Sequence, residues 1–460
     1  MDRELVGIYG LAALFILIVL RIPVALAMLL TGVVGTFVLS LVSPFIKFGP
    51  YLLQFKTALW NSVANYDLSV VPLFILMGYL AAETGLSRDL FRGLSALTRK
   101  VRGGVAMATI LACAGFGAVS GSSIATASTM SRVALPELRK LHYNEGLSTG
   151  VLAAGGTLGI LIPPSVALVI YAIVVEASII EMFQAAVIPG LLAVVFFLIV
   201  IRFKVSRNPE LAPALAPMTD HDVRAALVRL VPVGLIFGAI IVGLGMGLFT
   251  PTPAAAIGVF LILVYGGFLR AVSAEGLTLA RLKNALLATA KTASMIYFIL
   301  FAADILKGFF ARTNLPAALS EWAAGAALDP TMILIVMLLI LIVLGCFMES
   351  LSMILVIVPF FWPVLVQLNG GDFVSADNAA FGMTTHDLRI WFGILALVVV
   401  ELGLITPPVG LNVFVIKSFS PSTSLGTIFK GVSSFFAIEL VRVGLIVFVP
   451  ALALTLPRVL

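Results

Sequence analysis

Ionisable side chains are scarce in this sequence: Asp, Glu, Lys and Arg make up 11% of 460 residues, against about 25% in an ordinary soluble domain. That is too little charge to solvate the surface of a water-soluble protein of this length, so a soluble globular class is excluded. Cysteine occurs twice and histidine three times. Cys113 and Cys346 both lie in apolar runs, which excludes a disulfide framework or zinc site and leaves them as small buried hydrophobes. His142, His221 and His386 fall in polar stretches expected to be loops, so a serine in the apolar core would lack a histidine base, which argues against an intramembrane serine hydrolase. The N-terminus, Met1-Asp2-Arg3-Glu4, has no basic lead-in and runs into a long apolar stretch, so a cleaved signal peptide is not expected.

What is present is apolar sequence. Hydrophobic residues account for 61% of the chain and mean hydropathy is +1.17, the composition of an all-α polytopic membrane protein. The net charge of +6 would suit nucleic acid, but the Lys and Arg residues sit in short clusters between apolar runs, as loop topology signals do.

The apolar runs are interrupted twice between Gly115 and Ser165. Gly115-Phe116-Gly117 and Ser120-Gly121-Ser122-Ser123 separate two arms, about 103–117 and 122–138, each roughly 15 residues long where a spanning helix needs about 20. Such arms form a re-entrant hairpin. Pro163-Pro164 then breaks a segment over 148–175, removing two N–H donors and freeing carbonyls of the preceding turn. Unpaired backbone at membrane depth persists only where it is buried in protein or lines a polar cavity, and freed carbonyls with small hydroxyls are what a dehydrated cation needs.

The same pattern returns. Gly115 and Gly345, Ser120 and Ser350, and Ser122 and Ser352 are 230 positions apart; Gly159 and Gly403, Pro163 and Pro407, and Pro164 and Pro408 are 244 apart. The extra length belongs to a polar loop over 369–388. A fixed offset that preserves both breaks marks an internal repeat. Repeat 1 covers 1–201, with scaffold helices over 4–84 (a short 50–64 segment being interfacial), a loop carrying Arg88, Arg92, Arg99, Lys100 and Arg102, the hairpin over 103–138, the broken helix over 148–175 and a crossing at 184–201. A polar linker spans 202–226. Repeat 2 covers 227–460, with scaffold helices 227–312, hairpin 331–368, broken helix 390–417 and a last helix 430–457. An odd number of crossings in repeat 1 makes the repeats inverted, with hairpins entering from opposite faces. Placing both termini outside puts about 20 of the 28 Lys and Arg on the cytoplasmic side, so about ten crossings with N- and C-termini periplasmic is the orientation charge favours.

Gly159-Ile-Leu-Ile-Pro-Pro-Ser165 and Gly403-Leu-Ile-Thr-Pro-Pro-Val-Gly-Leu-Asn412, with Ser120-Gly-Ser-Ser123 and Phe249-Thr-Pro-Thr252, resemble the large membrane subunit (DctM-like) of the tripartite ATP-independent periplasmic (TRAP) transporters, over essentially the whole chain. The resemblance implies an elevator-type transport domain in the bacterial inner membrane and sodium-coupled uptake of an organic acid. It also implies a small membrane subunit, separate from this chain, and a periplasmic substrate-binding protein. A stand-alone sodium- or proton-coupled dicarboxylate carrier of similar broken-helix architecture is the alternative.

Sodium is a hard cation that takes several oxygens, and helix breaks offer carbonyls and hydroxyls at the negative ends of half-helix dipoles. The expected sodium ligands are Ser120, Ser122, Gly159, Ile162 and Ser165 in repeat 1 and Gly345, Ser350, Gly403, Thr406 and Val409 in repeat 2, where similarity to the family motif supports Gly345, Gly403, Thr406 and Val409. Close helix packing is the competing use of such small residues. Substrate contacts are assigned to Ser123, Pro164, Glu349, Pro408 and Asn412. Glu349 is an ionisable group at a hairpin tip and so a functional candidate by default, capping of the next helix being its plain alternative. Glu401 ranks behind it, and Asp304 and Lys307, one turn apart, are expected to neutralise each other. No arginine cluster is expected to face the breaks.

Overall fold

The computed structural model describes residues 2–215, 220–245, 247–273, 276–325 and 328–459; among them are helices and turns but no strand. Helices α1 (Arg3–Val19) and α2 (Val24–Val42) are joined at Arg21, whose φ is +64°, and Pro23, which precedes α2 where its missing N–H costs nothing. After α3 (Phe48–Ala64), α4 (Val70–Glu83) turns by 65° into α5 (Leu86–Thr98). The first hairpin is α6 (Gly104–Ser120) and α7 (Ser123–Lys140), and the first broken helix is α8 (Glu145–Leu161) and α9 (Val166–Val175), bent by 45°. A long α10 (Ile179–Arg207) closes the first half.

The second half follows the same plan. Its outer helices are α11 (Asp220–Gly245), α12 (Pro251–Ser273), α13 (Leu279–Thr313) and α14 (Leu315–Gly325). The second hairpin is α15 (Pro330–Gly345) and α16 (Ser350–Asn369), the second broken helix α17 (Thr385–Gly403) and α18 (Leu411–Phe419), and α19 (Leu425–Phe448) and α20 (Ala451–Val459) end the chain. Both Pro-Pro bonds, Pro163–Pro164 and Pro407–Pro408, are cis.

Packing divides these helices into two groups. α13 lies against α2, α3 and α4, and α12 against α4 and α11, an outer group that leaves much of its apolar surface uncovered: only 17% of the apolar window of α11 is buried within the chain. The hairpins and broken helices form the inner group, in which α8 from Leu147 to Leu161 and α17 from Ile390 to Gly403 are buried without interruption. Small residues permit this density. A Cβ on Gly150 of α8 would stand 2.5 Å from the carbonyl carbon of Gly431 in α19. The two halves are also exchanged at their broken helices, since α9 packs on α16 and α18 on α7.

Several boundaries differ from the sequence expectation. Residues 86–98, expected as a loop, form the amphipathic α5, which buries Leu86, Leu90, Phe91 and Ala96 against α6 and α11 and turns Arg88 and Arg92 outward. The arginines that read as a topology signal are the polar face of a helix. Residues 202–207 of the linker continue α10 and residues 220–226 begin α11, while residues 216–219 lie outside the described residues. The last helix breaks before α20, at Val449 and Pro450. His386 lies in the first turn of α17, 3.1 Å from Glu181, and the backbone at 221 is helical; of the three histidines only His142 occupies a turn. Among the described residues seven helices are long and apolar enough to span a membrane, or up to nine if each bent pair counts as one span.

Candidate functional site

The two hairpin tips meet at one buried carboxylate. Glu401, near the end of α17 and 1% exposed, accepts a hydrogen bond from Ser123 Oγ at 2.5 Å and another from Ser350 Oγ at 2.7 Å. Ser123 opens α7 and Ser350 opens α16, so one residue from each half is held by one side chain. Both contacts are hydroxyl-to-carboxyl hydrogen bonds, so this buried side chain has its polar atoms satisfied by the two hairpin tips. Beside it, a cavity of about 10 Å³ is lined by Gly121, Ser122, Ser123, Glu349 and Ser350, room for about one water-sized sphere.

Each helix break lies against a hairpin tip. Around the first, Ser120 Oγ is 2.7 Å from Thr126 Oγ1, and Ser122 caps α7 by accepting from the Ala125 N–H. Gly159 is pressed against this turn: a Cβ there would stand 2.5 Å from Thr126 Oγ1 and 2.8 Å from the Ser122 carbonyl oxygen. Gly121 takes φ +57° and approaches Ser165 and Val166 where α9 begins, while Ser165 caps α9 through the Leu168 N–H. Ser120, Ser122, Gly159 and Ser165 are thus brought together; the Ile162 side chain lies towards Gly190 of α10.

Around the second break, a Cβ on Gly403 would stand 2.7 Å from both Cα and C of Gly345. The corresponding close pair in the first half is Gly117 with Gly159, with 2.6 Å from a Cβ on Gly117 to the Gly159 Cα, so the contact in the first half uses the glycine after Gly115. Thr406 Oγ1 donates to the Leu402 carbonyl at 2.6 Å, leaving its lone pairs as acceptors. The Gly410 N–H, at φ +65°, reaches the Cys346 carbonyl, and the Asn412 N–H reaches the Leu404 carbonyl. The breaks differ in access: Pro163 and Pro164 are buried, Pro407 and Pro408 are exposed, and Val409 is half-buried.

The substrate candidates divide accordingly. Ser123 and Glu349 lie at the junction, and Pro164 and Pro408 lie in the two breaks. Asn412, fully buried on α18, stands beside Gly156 of α8, and neither of its amide atoms has a hydrogen-bond partner among the described residues. Buried amides are nearly always paired, so this side chain has hydrogen-bonding capacity that water, an ion or a ligand would take up. Ser350, expected as a cation ligand, is engaged with Glu401. Glu349 occupies the capping position of α16 but its side chain makes no cap bond. Asp304 and Lys307 line one cleft with Asn61 and Asn65, close enough for the lysine's charge to act on the carboxylate. Glu401 was discernible as a lone carboxylate in an apolar helix; its partners, 278 and 51 residues away, were not.

A second link joins the halves at the far end of the first hairpin. Arg139 holds both carboxylate oxygens of Glu145, at 2.7 and 3.0 Å, and also bonds Ser420, while Thr423 donates to Glu145 at 3.0 Å. In α19, Arg442 is paired with Glu439 and donates to the Pro189 carbonyl of α10 at 3.0 Å. Among the described residues no cluster of three His, Cys, Asp or Glu could hold a transition metal. The donors at the junction are all oxygens, the set a hard monovalent cation takes.

Residues 11–452 match the family described as tripartite ATP-independent periplasmic transporter, DctM component. The chain is 33% identical over 404 residues to the C4-dicarboxylate TRAP transporter large permease protein DctM of Pseudomonas aeruginosa, covering 87% of this chain and 88% of that one. It is 28% identical to the sialic acid large permease SiaM of Vibrio cholerae, covering 86% and 88%. It is also 28% identical to the isethionate permease protein DctMQ of Oleidesulfovibrio alaskensis, covering 85% of this chain and 58% of that longer one. Among solved structures, the YdaH transporter of Alcanivorax borkumensis superposes with a TM-score of 0.59 at 14% identity, over 86% of this chain and 88% of that one, a likeness of fold.

Proposed function

The chain belongs to the family of the DctM component of tripartite ATP-independent periplasmic transporters, a multi-pass membrane permease and not an enzyme, and from that membership we propose that it carries an organic acid into the bacterial cell, driven by sodium. The observation that carries this reading is the convergence of both hairpin tips on Glu401. A junction made by two inverted repeats, entered from opposite faces, is the arrangement alternating access uses. Sodium is taken by the hydroxyls and carbonyls of Ser120, Ser122, Gly159, Ile162 and Ser165 in one half and of Gly345, Gly403, Thr406 and Val409 in the other, with Ser350 acting through Glu401. The organic anion is held near Ser123, Glu349, Pro164, Pro408 and Asn412, its charge offset by helix N-termini and bound sodium.

The relatives' named cargoes, a C4-dicarboxylate, a sialic acid and isethionate, are all organic anions and support an acidic substrate. In this reading the inner group of helices moves as an elevator against the outer group, about ten crossings in all, with both termini periplasmic. The uncovered apolar faces of α11 and α12 suit a small membrane subunit, and a periplasmic binding protein delivers the substrate. The test is uptake of radiolabelled succinate, sialic acid or isethionate by vesicles containing the chain with its neighbouring small subunit and binding protein. One of these acids entering only with an inward sodium gradient supports the reading. Uptake by the chain alone, or entry of none of the three classes, refutes it.

A further inference from the structure

Beside the first hairpin lies a cavity of about 1120 Å³, far larger than the space at the hairpin tips. Its walls are α5, residues 129–140 of α7, and parts of α11, α12 and α13, and they carry seven Arg or Lys side chains against three acidic ones. One of those acids is already engaged: Asp89 receives Arg229 at 3.3 Å and Tyr265 Oη at 2.9 Å. Arg88 and Arg92 are exposed on α5 and, among the described residues, have neither an ion pair nor a hydrogen bond. They stand four residues apart, on one helical face, where like charges repel and weaken a helix. Ser95, one turn further, has a buried hydroxyl with no partner. Arg88 and Arg92 therefore hold positive charge at the edge of an open volume.

One wall belongs to the helix that begins at the hairpin junction. Thr129 lines the cavity, and Ser123, which bonds Glu401, lies six residues before it on α7, roughly 9 Å along the helix. A cleft lined by one sign of charge raises the local concentration of the opposite ion. We propose that this cavity is a second anion-binding region, an exit vestibule that takes the carried organic acid through its carboxylate or sulfonate group as it leaves the hairpin junction. The proposal rests on the uptake function above and assigns Arg88 and Arg92 the capture of the departing anion.

The test uses the full chain with Thr129→Cys, reconstituted in zwitterionic lipid; Cys113 and Cys346 are buried and give a low background. The rate of modification by a sulfonate-bearing thiosulfonate is compared with that by a trimethylammonium-bearing one. The vestibule predicts that the anionic reagent reacts on the order of tenfold faster, that succinate or inorganic sulfate slows it, and that R88Q/R92Q brings the ratio close to one while R88K/R92K keeps it. The R88Q/R92Q chain should also take up substrate several-fold more slowly with unchanged sodium half-saturation. A parent ratio of one or below, or a ratio indifferent to R88Q/R92Q, overturns the proposal. So does protection by added anionic phospholipid but not by succinate or sulfate, which would make the cavity a headgroup site. Labelling needs no turnover, so absent sodium-driven uptake with the expected labelling pattern would overturn the uptake function and not the anion site.

Discussion

At the scale of single residues, the account turns on oxygens placed where the chain could have buried hydrocarbon. Glu401→Gln keeps the size of the side chain but places an NH2 donor where one carboxyl oxygen faces Ser123 or Ser350. A buried polar contact left unmet costs about 1–3 kcal/mol, so uptake should fall by roughly 5- to 150-fold while the protein still assembles, as purified yield and Tm will report. Wild-type uptake by this variant would remove Glu401 from the mechanism. Thr406→Val preserves shape and deletes one oxygen at the second break. The sodium concentration for half-maximal uptake should rise by roughly five- to 150-fold, the equivalent of ~1–3 kcal/mol for an unmet buried polar contact, with normal folding. An unchanged sodium dependence would mean that this hydroxyl serves only its bond to the Leu402 carbonyl.

At the scale of elements, hairpins and broken helices are held together by glycine contacts that admit no side chain. Gly403→Ala would place a methyl 2.7 Å from the Gly345 backbone, so α15 must shift; overpacking of this kind costs about 1–3 kcal/mol. Gly267→Ala in α12 meets nothing within 4 Å and serves as the control. Thermal unfolding should show a lower Tm for the first and little change for the second, and equal Tm values would refute the close packing of α15 on α17. These elements were legible in the sequence because Pro-Pro pairs and Gly-Ser clusters inside apolar runs are local signals. The offset of 230 aligns Gly115 with Gly345, whereas the glycine that packs on Gly159 as Gly345 packs on Gly403 is Gly117. Helix α5 was missed because its arginines were weighed as charge and not as spacing. Glu401 was underrated because its partners come from the opposite half of the chain, which no local pattern reports.

At the scale of the whole molecule, the two halves are exchanged across α9 and α16, across α18 and α7, and through Arg139, Glu145, Ser420 and Thr423. Inverted halves require Arg99→Cys to be labelled from the cytoplasmic face and Asp377→Cys from the periplasmic face by membrane-impermeant thiol reagents; labelling of both from one face would contradict the topology. Such a molecule is useful only if both hairpins work on one coupled cycle. The central claim is that sodium drives that cycle, and it is tested most directly in proteoliposomes holding the chain with its small subunit, with substrate-loaded binding protein outside. An inward sodium gradient at equal pH should drive accumulation of the organic acid, and an inward proton gradient without sodium should drive none. Equal accumulation under the proton gradient alone would contradict the account.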